Sequence, residues 1–493
     1  MVDLSTHPIR KLKEKPSLSR DNRTSFANEY WKGIRVKFAI QAAAGGLAFM
    51  LLFLACLSYL YGSLYKSHDK YHNLHVLAVD YDGGVIGQAL STAYEQLKEP
   101  GFPTLYFHLP EDFPTQSDVY RSVRDGHYWG AIYSTKGASA RLTAAIQDGK
   151  AANMYNASNA LHWIWNQQYY STFAQGAIQA NMQQLVGAIR VAYTKLNGTG
   201  AFPYVAQSSP TAVQAFLNPI AATVENVQAD PQGSIVFFST VSMAMPVLQQ
   251  FFFLLALNGV CRQHQIYSKM TIRSSIMVRR VCGLLYSLGA ALVQTTYYWA
   301  FGDGWDVNGN QFVLTWMALW LLMNIHFLFL DAISAVSPLP AMPFVVLIWV
   351  FLNISTTIGP LEIQPGFYHW GICLPAHNAY SVLVTIWSGG GDNRLYRALP
   401  IMFLWWIVGN MISIAAHLRA CHLAFKFDHD EETKKHDEEC SVTSSQEDSN
   451  KENQKPSVSN GTADYELTRG KSIKERALQQ RQIYGPSVPP PFA

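Results

Sequence analysis

The chain has 493 residues, 49% of them apolar and only 14% charged, against about 25% charged in an ordinary soluble protein. A net charge of +3 without a dominant basic stripe gives nucleic acid no electrostatic footprint to bind. With 13 Trp, 25 Tyr and 26 Phe, the aromatic load is that of a bilayer protein carrying polar appendages.

Residues 1–37 form a basic N-terminal segment with nine Lys and Arg and precede an apolar run over 38–60. A bilayer crossing needs about 20 such residues. The run starts too late and is too long for a cleaved signal peptide, so it reads as a retained anchor. A polar insert over 62–233 follows, and then five further apolar runs lie within 235–418: Ile235 to Leu257, Val281 to Phe301, Phe312 to Leu330, Met342 to Ile358 and Leu399 to Leu418. The expected architecture is a polytopic α-helical membrane protein of six spans, arranged one plus five around an extracytoplasmic domain.

Charge sets the orientation. The connection 258–280 holds Arg262, Lys269, Arg273, Arg279 and Arg280 and no acid, while Asp303 and Asp306 lie between spans three and four without a base. Basic loops stay on the cytosolic side, so both termini are expected in the cytosol, at a plasma membrane or endomembrane. Two sequons in the insert, at Asn156 and Asn197, are then candidate glycosylation sites.

Within the insert, strand-like and helix-like patterns alternate: Leu74 to Asp80, Thr104 to His108 and Tyr128 to Tyr133 as strands, and Val85 to Leu97, Ser117 to Arg124 and Ala138 to Ile146 as helices. This predicts a small α/β unit. Leu161, Trp165, Tyr169, Phe173 and Ala177 then recur every four residues, and Ile178, Met182, Leu185 and Ile189 continue at helical spacing, predicting one amphipathic helix of eight or more turns. No cysteine lies between Cys56 and Cys261, which excludes a disulfide framework there. Further on, the Pro- and Gly-broken stretch 359–397 predicts a re-entrant or interfacial pair of short helices. Residues 419–493, rich in Ser, Glu, Lys and finally Pro, predict a disordered cytosolic tail.

Three motifs bear on chemistry. The turn in "VDYDGGVIGQAL", with Asp80 and Asp82, imitates the start of a dehalogenase-type phosphatase. Such an enzyme also needs a cation and a further acid pair for Mg²⁺ in the same domain, so the aspartates read as turn-formers at a helix start and no catalytic residue is assigned. "YELTRGKS" has Tyr465 where a phosphate-binding loop needs its first glycine, so the chain has no nucleotide site of its own and no cofactor or metal is expected. Polar groups at membrane depth are the strongest functional pointers: Asp331 with Asn324 two turns earlier on one face, then His326, Asn353 and Asn410. Asp331 stands either in a cavity used by a substrate or at the cytosolic interface, with the Asn residues bridging helices. The basic connection 258–280 either docks a cytosolic partner or only sets orientation.

The segments "VDYDGGVIGQAL", "VRDGHYWGAIY" (Val123 to Tyr133), "YNASNALHWIW" (Tyr155 to Trp165) and "FLDAISAVSPLPAMPF" (Phe329 to Phe344), in this one-plus-five layout, resemble the fungal nitrosoguanidine-resistance membrane proteins. That group resembles in turn the ABC-2-type permease architecture of the phage-infection proteins. The resemblance implies drug tolerance and lipid distribution between leaflets. The expected function is therefore a permease-like protein that exports or redistributes amphipathic drugs or phospholipids. The alternative is a non-transporting scaffold or regulator whose outer domain binds a lipid, a wall polymer or a partner protein. Membrane lipids are the expected partners, with a homo-oligomer as a candidate assembly.

Overall fold

The computed structural model describes Glu29, residues 32–228, 234–302, Trp305 and residues 307–452. The N-terminal bases up to Arg23, Asp303, Asp306 and the 465–472 motif lie outside them. Residues 1–55 make one unit and residues 56–493 another. The first holds most of helix α1 (Lys32–Ser63); the α/β unit and the helices after it belong to the second.

The α/β unit runs β1 (His75–Asp80), α2 (Val85–Leu97), β2 (Thr104–His108), α3 (Gln116–Arg124), β3 (Gly130–Ser134), α4 (Ala138–Gln147), α5 (Gly149–Met154) and β4 (Leu161–Trp165). A long helical stretch containing α6 (Ala180–Tyr193), then α7 (Pro210–Leu217) and β5 (Ala222–Asn226), completes it. The strands form one sheet in the order β2-β1-β3-β4-β5. β1 is parallel to both neighbours, β3 and β4 are antiparallel with Ile132 opposite Trp163, and β5 is parallel to β4. Val76 to Val79 are all buried, as expected of a central parallel strand covered on both faces. Ile86, Ala89 and Leu90 of α2 share a core with Met182, Leu185 and Ile189 of α6. α3 starts at a capping box in which Thr115 and Asp118 satisfy each other's backbone N–H groups.

The long helix expected from Leu161 is corrected here. Its first five residues are β4, and helix begins only at Ser171, interrupted by π-turns at Ala174–Gln179 and Thr194–Gly198. "LHWIW" is aromatic and β-branched, which suits a pleated surface. Its every-four spacing matched a helix because a strand and the following helix happened to bury residues in phase.

Among the described residues, five helices are long and apolar enough to cross a membrane: α1, α8 (Val241–Gln263), α10 (Ile272–Ala300), α11 (Gly309–Ser334) and residues Leu395–Phe427 of α14 (Leu395–Glu452). The chain is thus a polytopic helical membrane protein. The expected fifth span differs. α12 (Met342–Ser355) has 14 residues, about 21 Å against a hydrocarbon core of about 30 Å. A segment of 3₁₀ turns follows, and then α13 (Pro375–Trp387), buried along nearly its whole length. Contacts along α11 fix the course. His326 meets Trp349, while Trp387 donates its indole N–H to Thr315 Oγ1 at 3.0 Å and Gln311 Nε2 donates to Ile386 O at 2.8 Å. α12 and α13 therefore run in tandem back along α11, joined by the stretch of 3₁₀ turns. The 359–397 segment, expected as a re-entrant or interfacial pair of short helices, consists of 3₁₀ turns at Leu361–Ile363 and Gly366–Cys373, the buried helix α13, its glycine-rich loop and the start of α14.

α11 and α14 run parallel: Asn324 pairs with Trp406, and two turns on Asp331 pairs with Ser413. The composition-based tail is also corrected, since helix α14 continues through 419–452; its Glu- and Lys-rich sequence has high helix propensity. Residues 453–493 lie outside the described set. The α/β unit meets the bundle at the glycine-rich loop after α13. Arg124 Nη2 donates to Gly389 O at 2.9 Å, Asp392 N donates to Arg124 O at 2.8 Å, and the rings of Tyr170 and Tyr380 lie 5.1 Å apart.

Candidate functional site: a buried ion pair between the apolar helices

Arg279 on α10 and Asp331 on α11 are 5% and 4% exposed. Arg279 Nε donates to Asp331 Oδ1 at 2.6 Å, and its Nη2 lies 2.5 Å from the same oxygen. The guanidinium uses its remaining donors on Asn258 Oδ1 of α8 (2.8 Å) and on the Tyr267 hydroxyl of the short helix α9, Ile266–Lys269 (2.9 Å). Ser413 of α14 donates to Asp331 Oδ2. Beside this pair, Ser275 Oγ and His417 Nε2 lie 2.9 Å apart, and Cys421 Sγ is 3.4 Å from the same ring nitrogen. Four long helices and α9 thus converge on one charge pair, with a small cleft lined by Asn258, Tyr267, Arg279, Asp331, Ser334 and His417. A buried charge is tolerated only when paired and hydrogen-bonded. Here both partners meet that condition, because parallel α11 and α14 bring Ser413 to the second carboxylate oxygen.

The other sequence-selected polar residues divide. Asn324 does share the Asp331 face, but it accepts a hydrogen bond from Trp406 Nε1 at 2.8 Å instead of joining the ion pair. His326 is fully buried, with Nδ1 accepting from Trp349 Nε1 at 3.1 Å and Nε2 unpartnered. Asn353 bridges the tandem helices: Nδ2 donates to Trp349 O at 2.8 Å, and Oδ1 accepts from Ala376 N at 3.2 Å in the first turn of α13. Asn410 donates back to its own helix, at Trp406 O. The sequence thus points to Asp331 but not to its partner Ser413, nor to Asn258 and Tyr267, which hold Arg279, nor to His417 beside the pair.

The basic connection is reshaped. α8 extends to Gln263 and α10 begins at Ile272, so Arg262, Arg273, Arg279 and Arg280 are on helices and the loop shrinks to residues around α9. Arg279 turns inward; Arg280 is half-buried and donates to Asn410 O at 3.3 Å. Lys269 and Arg273 remain exposed. Charge matching could have found the pair: Arg279 sits at the start of an apolar helix whose connection has no acid, and Asp331 is an acid at the end of the neighbouring one.

In the α/β unit, Asp80 Oδ1 accepts from Asp82 N at 3.0 Å, from Gly83 N at 3.1 Å and from the Ser134 hydroxyl at 2.5 Å. Asp82 accepts from Ser139 N at 2.9 Å and from the Ser139 hydroxyl in the first turn of α4. Gly83 has φ +62°, the left-handed conformation that glycine adopts at little cost. The two carboxylates thus tie β1 to β3 and cap α4. No group of three or more His, Cys, Asp or Glu with metal-binding geometry occurs among the described residues. The sequon Asn156 is exposed and forms an Asx turn to Ser158 N at 2.9 Å; Asn197 is half-buried, its Nδ2 donating to the Tyr193 hydroxyl at 3.0 Å.

A family model described as a protein of unknown function, DUF3533, matches residues 46–411. No solved structure matches the chain.

Proposed function

The chain belongs to the DUF3533 family of proteins of unknown function, and we propose that it is a permease-like membrane protein that exports or redistributes amphipathic drugs or phospholipids. One observation carries this reading: a charge pair and a polar cleft lie between apolar helices, where charge is costly and usually marks a pathway or a moving part. The tandem α12–α13 crossing adds support, since interrupted helices buried in protein are a recurring feature of transport bundles. In this reading the chain crosses the membrane six times, with α12 and α13 together forming the fifth crossing. Both termini face the cytosol, and the α/β unit stands outside a plasma membrane or endomembrane. The resemblance to nitrosoguanidine-resistance proteins supports a contribution to drug tolerance.

A second reading, a non-transporting scaffold or regulator, is favoured by a specific feature. Both oxygens of Asp331 are already occupied, by Arg279 and Ser413, as in a structural staple. Drug tolerance of cells lacking the protein separates the two, when they are complemented with wild type or with Asp331→Asn at matched surface level. The permease reading expects loss of tolerance in the null cells and in the variant. Tolerance unchanged by deletion of the whole protein would sink it.

A further inference from the structure

We infer that the junction between the α/β unit and the bundle holds a binding site for a primary ammonium group, centred on Asp392. Asp392 is 2% exposed. Its Oδ1 accepts from Arg394 Nε at 2.9 Å, while Oδ2 has no hydrogen-bond partner. A buried carboxylate oxygen without a donor carries an uncompensated desolvation cost. That cost is removed when a donor enters. The residue is held in this state by the backbone around it, with φ +41° at Asp392 itself and its N–H bound to Arg124 O.

The space beside Asp392 fits that donor. A small cleft with room for one water-sized group is lined by Gly126, Tyr128, Trp129, Asn166, Tyr169 and Asp392. Trp129 and Tyr169 lie 4.6 Å apart. Tyr169 already carries the Arg394 guanidinium 4.9 Å from its ring centroid, which leaves Trp129 as the aromatic that can attract an organic cation beside the carboxylate, whereas a hard alkali or alkaline-earth ion seeks a shell of oxygens. The head of a primary amine is the size of a water and brings three donors; a quaternary ammonium is too wide. Arg394 lies between two carboxylates, at 2.9 Å from Asp392 and 3.7 Å from Glu362, and with Arg397 the cluster holds two cations and two carboxylates, yet Asp392 Oδ2 is left without a donor. Arg397, whose charge also reaches Asp392, leaves its own Nε and Nη2 without partners. Burial pushes the Asp392 carboxyl above its ordinary range against the pull of Arg394. A bound cation would reverse that push.

The site is separate from the Arg279–Asp331 pair and does not depend on whether the protein transports. The test is calorimetric titration of the purified full-length protein with methylamine at fixed ionic strength, with NaCl, KCl and tetramethylammonium as controls. Saturable binding of methylamine alone is expected, with a rise in melting temperature, and about tenfold or greater weakening in Asp392→Asn and in Trp129→Leu. Dodecylamine in the micelle distinguishes the source. Binding of both amines means entry from water, and binding of dodecylamine alone, still sensitive to Asp392→Asn, means entry from the membrane. Absence of saturable binding of either amine to wild type overturns the assignment. So does an equal response to Na⁺ or K⁺, or binding unchanged in a folded Asp392→Asn protein.

Discussion

Replacing Asp331 with Asn leaves the Arg279 guanidinium buried between four helices without its counter-charge. A solvent-exposed ion pair is worth about 0–1 kcal/mol, but these two groups are 5% and 4% exposed. Removing one partner of a buried pair costs about 3–5 kcal/mol. Asn258 and Tyr267 still accept from Arg279, which places the expected loss near the lower end, about 3 kcal/mol. Removing both charges in Arg279→Met/Asp331→Leu should restore most of that loss, because apolar replacement of a whole buried pair is often neutral or stabilising. Equilibrium unfolding in mixed micelles titrated with sodium dodecyl sulfate, followed by tryptophan fluorescence, measures both quantities. A single-variant loss below about 1 kcal/mol would place the pair in the solvent-exposed class. A double variant whose loss equals the sum of the separate Arg279→Met and Asp331→Leu losses would mean that the two residues act independently, and either result refutes the buried-pair argument.

Gly126 has φ +77°, and a Cβ there would fall 2.2 Å from Asp392 Oδ1, so Gly126→Ala should cost about 1–3 kcal/mol, read as a lower melting temperature. Asn353→Leu removes the acceptor for Ala376 N at the start of α13 and leaves a buried donor unpaired, at about 1–3 kcal/mol; faster proteolysis of the 356–374 segment is the local readout. If the α/β unit is extracytoplasmic, Asn156→Gln should abolish a glycosidase-sensitive gel shift. Asn197→Gln should change it little, because the Asn197 amide is half-buried and already bonded to Tyr193.

Much of the α/β unit is legible in sequence. Val85–Leu97 and Thr104–His108 have the same ends in pattern and structure, because turn residues bracket both, and α2 in addition buries one regular face. β4 and β5 are not legible in this way. "LHWIW" satisfies both periods over five residues, and Ala222–Asn226 is a half-exposed edge strand without an apolar signature; β4 becomes a strand by pairing with β3, and β5 by pairing with β4 61 residues earlier in sequence. The tandem crossing is half legible. Gly359 and Pro360 predict where helix ends, but the return along α11 depends on Asn353 and Gln364, whose side chains satisfy backbone groups freed there. In the candidate site, membrane depth singles out Asp331. Its partners lie on helices 52 and 82 residues away in sequence, and only the parallel packing of α11 and α14 reveals them.

In the permease reading the chain moves amphiphiles between leaflets. That movement is tested most directly with full-length protein in liposomes containing a trace of fluorescent phospholipid, or a fluorescent amphipathic drug, with dithionite added outside. The account predicts that the chain renders inner-leaflet probe accessible and that quenching proceeds past the outer-leaflet fraction. Quenching that stops at the level of protein-free liposomes for every probe, with protein shown to be folded and inserted, would contradict it.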